Sequence, residues 1–111
     1  MRAVLDAIGD PQRRVLLEAL RERPATVTEL AERLPIARPG VSRHLRILRE
    51  AGLVEFRADG QRRIYALTSE PLAELDAWLA PYRALWSQRM DALHTEVARG
   101  TSERSRREES S

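Results

Sequence analysis

The stretch RPGVSRHLRILREAGLVEFRADGQRRIYAL, residues 38–67, decides the fold. Val41, Leu45 and Leu48 recur at i, i+4 and i+7. At about 100° per residue they share one stripe of a helix expected over about residues 38–51. Gly52 stands where a left-handed helix terminus is needed. Leu53 to Arg57 and Arg62 to Leu67 then alternate with period two, and Ala58, Asp59, Gly60 and Gln61 between them carry the Asp-Gly signal of a hairpin.

Upstream, Leu30, Ala31 and Leu34 form the inward face of a shorter helix, capped by Thr26 or Thr28 and stopped by Pro35. Thr26 with Glu29 reads as a capping box. Two short helices joined by a turn at Pro35, Ile36 and Ala37 make a helix-turn-helix, and the arginine-bearing hairpin after it makes a wing. Earlier still, Val4, Leu5 and Ile8 suggest a short first helix that pauses at Gly9. Asp10 as N-cap and Pro11 in the first turn begin the next, over about residues 11–22, with Val15, Leu16, Ala19 and Leu20 on one stripe. The expected fold is therefore mostly α with a β-hairpin, α+β in class, a winged helix-turn-helix.

Downstream, Thr68 or Ser69 caps a long helical segment whose apolar residues include Leu75, Leu79, Tyr82, Trp86, Leu93 and Val97. Pro81 should kink it or split it in two. From Gly100 onward there is no apolar residue, so residues 1–99 are expected to form the domain and 100–111 a disordered tail. Val4, Leu5 and Ile8, together with Leu75, Leu79, Tyr82, Trp86 and Leu93, supply more apolar surface than one small core requires. They are expected to pair across a twofold axis in a homodimer. The aromatic stripe of Trp78, Tyr82 and Trp86 reads as core and dimer seam before it reads as a small-molecule pocket.

Charge sharpens the functional reading. All 19 basic residues are arginine, so the pI near 9.9 follows from a net charge of only +2 and is weak evidence by itself. The distribution says more: residues 35–67 hold seven arginines against three acids, while residues 1–34 balance and residues 68–99 are net acidic. Positive charge concentrated on one motif is the footprint of a phosphate-binding surface, here double-stranded DNA. Ser42 and Arg43 are the groove-contacting candidates, with Arg43 almost opposite the buried stripe. Arg38 and Arg46 suit phosphates, as do Arg62 and Arg63 on the wing. His44 flanks the buried stripe and serves packing or support before base contact. An arginine set that merely solvates a helix and a hairpin is the bland alternative.

Other classes find little support. The absence of cysteine excludes disulfides, thiolate metal sites and thiol redox sensing and fits the cytoplasm. The amino terminus does not read as a signal peptide, and no run approaches a membrane span. The two histidines lie fifty residues apart, with no Gly-rich phosphate loop or Ser-His-Asp set, so no enzyme is expected. His94 with Asp91 and Glu96 makes a poor metal set, because the three do not share a helix face well. No cofactor and no metal are expected.

The residues Ala7 to Pro11 with Arg13 and Arg14, Glu29 to Ala31, Val41 to Val54, and Gly60, Arg62, Arg63, Tyr65 and Leu67 resemble the ArsR family of winged-helix repressors. The resemblance covers about residues 3–98, and the segment from Pro71 to Trp86 looks like a metal-independent branch of it. It implies a homodimeric autorepressor that places its second motif helix in the major groove and its wing on the backbone or minor groove, with half-sites about 34 Å apart. A metal- or small-ligand-responsive repressor and a winged-helix protein–protein module are the alternatives, and any effector is open. Two departures stand out: the family has Ser where Ala37 stands and Ala where Gly40 stands. The missing cap and the helical glycine each cost about 1 kcal/mol, so the start of the recognition helix is expected to be loose until DNA orders it. Close backbone approach to a phosphate at Gly40 is the other reading.

Overall fold

In the computed structural model the backbone is described for residues 1–110 and side chains for residues 1–96. The elements are α1 (Arg2–Ile8), α2 (Pro11–Glu22), β1 (Ala25–Thr26), α3 (Val27–Ala31), α4 (Arg38–Glu50), β2 (Val54–Asp59), β3 (Arg62–Leu67) and α5 (Ser69–Ser110). Two compact units result, Met1–Asp76 and Ala77–Ser111.

The first unit carries the winged helix-turn-helix. Asp10 caps α2 by accepting from the backbone N–H of Gln12 at 2.8 Å and of Arg13 at 3.3 Å. Burial raises the Asp10 carboxyl, but those two N–H donors and the neighbouring charges of Arg13 and His44 outweigh it and hold its pKa below the ordinary value. The capping box at α3 forms as the sequence predicts: Glu29 N–H donates to the Thr26 hydroxyl at 3.3 Å while the Thr26 N–H donates to the Glu29 carboxylate at 3.4 Å. Leu16, Leu30, Val41, Leu45, Leu48 and Leu53 are fully buried, so α2, α3 and α4 close on one core.

Helix α4 ends in a Schellman motif. Gly52, at φ +77°, donates its N–H to Arg49 O at 2.9 Å, and Leu53 N–H donates to Leu48 O at 3.0 Å. The buried pair Leu48 and Leu53 supplies the apolar contact that accompanies this motif. The chain thereby turns directly from recognition helix into wing.

The sheet has three antiparallel strands in the order β1-β3-β2. Strand β1 was not anticipated, because two residues have no period to read. Asp59 pairs with Arg62, so the hairpin loop is Gly60-Gln61, and Ala58 and Asp59, expected between the strands, belong to β2. Gly60 takes φ +64° and, among the described residues, no non-glycine residue has positive φ, the pattern of a turn with glycine first and an ordinary residue second.

In the second unit, α5 runs through Pro81 without ending. Proline removes one N–H, the one that would meet the Ala77 carbonyl, and the surrounding helix tolerates that single loss; of the two expected outcomes, a kink or a split, the split does not occur. Trp78 and Tyr82 contact at 4.9 Å between ring centroids. The expectation of a disordered tail over 100–111 falls on residues whose side chains lie outside those described. Among the described residues no helix is long and apolar enough to cross a membrane.

Candidate nucleic-acid interface

The α4 sequence fixes what faces outward. With Val41, Leu45 and Leu48 buried, the exposed flank carries Arg38, Ser42, Arg43, Arg46 and Arg49. The β2–β3 register then adds the wing. Residues 54, 56 and 58 share a face with 63, 65 and 67, so Arg63 lies on the face that carries buried Tyr65, diagonal to Phe56. Arg62 lies on the other pleat and forms an ion pair with Asp59 at 3.1 Å.

These elements enclose an open concavity of about 690 Å³ between the start of α3, the outer flank of α4 and the wing. Of the seven residues expected to meet DNA, six line it: Arg38, Ser42, Arg43, Arg46, Arg62 and Arg63. The sequence reading missed Arg49, Thr28 and Gln61, which line it too. Arg49 had a usable signal, being three residues beyond Arg46 and so on the same helix flank. Thr28 had none, since only the packing of α3 on α4 brings its hydroxyl to Arg38, with which it is hydrogen-bonded. Among the described residues Arg43, Arg46, Arg49 and Arg63 have no carboxylate within ion-pair distance.

The structure does not bring His44 to this surface. Its Nε2 lies 2.9 Å from Gln12 Oε1 and its Nδ1 lies 3.5 Å from Arg13 Nη1. An arginine only donates, so in the neutral ring Nδ1 accepts and the proton sits on Nε2, donating to Gln12. Arg13 also donates to the last carbonyls of α1, through Nε to Ala7 O at 2.7 Å and Nη2 to Asp6 O at 3.1 Å. Arg14 adds a bond to Ile8 O at 3.0 Å. One guanidinium thus joins α1, α2 and α4, and His44 is the recognition helix's side of that joint.

The first helical turn of α4 has no side-chain cap, as the substitution of alanine at position 37 implies. The N–H groups of Gly40 and Val41 both reach Ala37 O, at 2.9 and 3.3 Å, and Pro39 has no N–H to satisfy. Few donors are left orphaned. The methyl that Gly40 lacks would stand 3.2 Å from Ile36 Cδ1, so the bare position accommodates a half-buried isoleucine.

The residues expected at a dimer seam divide. Val4 is 4% exposed within the first unit's own core, while Leu5 is exposed and Ile8 and Leu75 are half-buried. Leu79, Tyr82, Trp86 and Leu93 on α5 are exposed, Trp86 at 66%. Among the described residues no group of three or more His, Asp or Glu side chains is arranged to hold a metal, and His94 is exposed.

Comparison with known proteins gives a consistent result. The profile of the bacterial regulatory proteins of the arsR family matches residues 10–55. The HTH-type transcriptional regulator Rv2034 of Mycobacterium tuberculosis is 46% identical over 69 residues, which span 62% of this chain and 64% of that protein. The transcriptional repressor SdpR of Bacillus subtilis is 34% identical over 79 residues, spanning 71% of this chain and 88% of the relative. A crystal structure of an ArsR family transcriptional regulator superposes with a TM-score of 0.71 at 35% identity, covering 78% of this chain and 94% of the other.

Proposed function

The chain belongs to the ArsR family of bacterial regulatory proteins, and from that premise we propose that it is a cytoplasmic homodimeric repressor that occupies its operator without needing a metal. The observation that carries this reading is the concavity in which arginines of α4 and of the wing converge. A duplex seated there meets Ser42 and Arg43 at base edges in the major groove, with Arg43 free to fork onto guanine. Arg38, Arg46, Arg62 and Arg63 meet phosphates on either side, which sets register and makes affinity salt-dependent.

The same geometry supports a dimer. Two recognition helices must stand about one helical turn of DNA apart, about 34 Å, to read two half-sites. The exposed stripe of Leu79, Tyr82, Trp86 and Leu93 on α5 is apolar surface that pairing would bury, and in the first unit Leu5 is exposed as well. Metal independence rests on the donor set: there is no cysteine, and one histidine is engaged at Gln12 and Arg13 while the other stands exposed on α5.

The test is a binding titration against DNA from the gene's own upstream region and against unrelated duplex, at several salt concentrations, with and without zinc. Tight, sequence-preferring binding by two chains per site, steeply weakened by salt and indifferent to zinc, is the expected result. Failure to bind either duplex at low salt would overturn the DNA-binding assignment, and zinc-dependent release would overturn metal independence.

A further inference from the structure

Two guanidinium groups rest on one aromatic ring at the edge of the concavity. Arg49 Cζ, in the last turn of α4, lies 4.9 Å from the Phe56 ring centroid, and Arg63 Cζ, on β3, lies 4.5 Å from it. The ring itself is held by Tyr65, directly opposite on β3, at 5.4 Å between centroids. Tyr65 is buried, so the ring stands on the core while both arginines are exposed. The arrangement follows from register: Arg63 is the diagonal neighbour of Phe56 on one face of the hairpin, and the glycine turn at Gly52 folds the end of α4 back over β2.

The partners of the arginines around this concavity differ. Arg62 is paired with Asp59, and Arg38 is hydrogen-bonded to Thr28. Arg49 and Arg63 have no carboxylate within ion-pair distance among the described residues, and both line the concavity. A guanidinium held through its face keeps its N–H edge free for a phosphate, and its side chain is already ordered before the phosphate arrives.

We propose that Phe56 is a positioning residue for DNA binding, holding Arg49 and Arg63 as a preordered pair of donors to the phosphate backbone. This rests on the DNA-binding reading above and extends it to Arg49 and to an aromatic residue that touches no nucleotide. A ring kept only for packing would contribute equally whether or not the arginines were present.

The experiment measures fluorescence anisotropy of a labelled mixed-sequence duplex with the full chain across a salt series, using wild type, Phe56→Leu, and protein with pentafluorophenylalanine at position 56. The fluorinated ring keeps the shape and the packing on Tyr65 while reversing the charge of the ring face, so it keeps the test open if Phe56→Leu does not fold. Each ring substitution is expected to weaken binding about threefold to tenfold with an unchanged salt slope, because no charge is lost. Arg49→Gln and Arg63→Gln are each expected to reduce that slope by about 0.9. In the Arg49→Gln/Arg63→Gln background the fluorinated ring is expected to have no further effect. Wild-type affinity with the fluorinated ring, or an equal loss in both backgrounds, overturns the proposal while leaving the DNA-binding reading intact. Absence of wild-type binding at low salt refutes both.

Discussion

Replacing Gly40 with alanine should stabilise the protein, and the size of the effect follows from the first turn of α4. A helical glycine costs about 1 kcal/mol relative to alanine. The added Cβ would lie 3.2 Å from Ile36 Cδ1, a contact a few tenths of an ångström too tight, made by the far end of a flexible side chain. Shifting that end costs about 0.5 kcal/mol as a modest departure from a rotamer minimum. The net is about 0.5 kcal/mol in favour of Gly40→Ala, or about 2–4 °C in thermal midpoint for a unit of this size. Thermal unfolding followed by circular dichroism at a fixed protomer concentration measures it. A lowered midpoint would refute the reasoning, showing that Ile36 has nowhere to go and that close packing is what position 40 requires. Duplex binding by the same variant separates the two readings of the glycine. Unchanged or tighter binding fits a helix start that is loose alone, whereas weaker binding by a more stable protein would mean that the bare backbone approaches a phosphate.

Ala37→Ser is expected to gain only about 0.5 kcal/mol, the low end for an N-cap, because Pro39 offers no N–H and Gly40 is already bonded to Ala37 O; urea unfolding reads this. Gly52→Ala should cost about 1–2 kcal/mol in the same assay, since φ +77° disfavours a Cβ, while Pro71 Cγ at 3.4 Å is an ordinary neighbour. Arg43→Ala should weaken binding to the preferred DNA sequence by about 1–3 kcal/mol and relax discrimination at one base position, read by competition with substituted duplexes. The folded-state pKa of Asp10 lies below its ordinary value near 3.8, so its charged cap contributes fully above that value and is lost as pH falls through the lower folded one. Asp10→Asn should therefore lower stability near neutral pH, converge on wild type in acid below the folded pKa, and so flatten the acid limb of a stability-versus-pH curve.

Where several residues repeat a physical requirement, the fold was legible in the sequence. Val41, Leu45 and Leu48 gave α4 by period, Asp10 with Pro11 gave the start of α2, and Thr26 with Glu29 gave the capping box. Features resting on one residue or one contact were not. Strand β1 exists because Ala25 and Thr26 find β3, a partner forty residues away in the chain. The hairpin register depends on which of two adjacent positions takes positive φ, and glycine at 60 was compatible with either loop. Pro81 was read by its local cost alone, whereas a helix is the sum of many bonds and can absorb the loss of one.

The site divides along the same line, and the division bears on how the chain recognises DNA. Clustering showed where positive charge accumulates, but the sequence could not show which charges the chain itself neutralises. Asp59 lies in the wing and pairs with Arg62, so Arg62 and Arg63, which spacing alone made equivalent, differ in their partners. Arg63 has no carboxylate within ion-pair distance among the described residues, and the pleat, which alternates side chains with period two, places it and not Arg62 beside Phe56. His44 belongs to the same lesson in reverse. In sequence it lies between Arg43 and Arg46, which line the concavity, yet about 100° of helical rotation from Arg43 turns it toward Gln12 and Arg13. There it joins α4 to α2, and through Arg13 to α1, away from the residues that line the concavity.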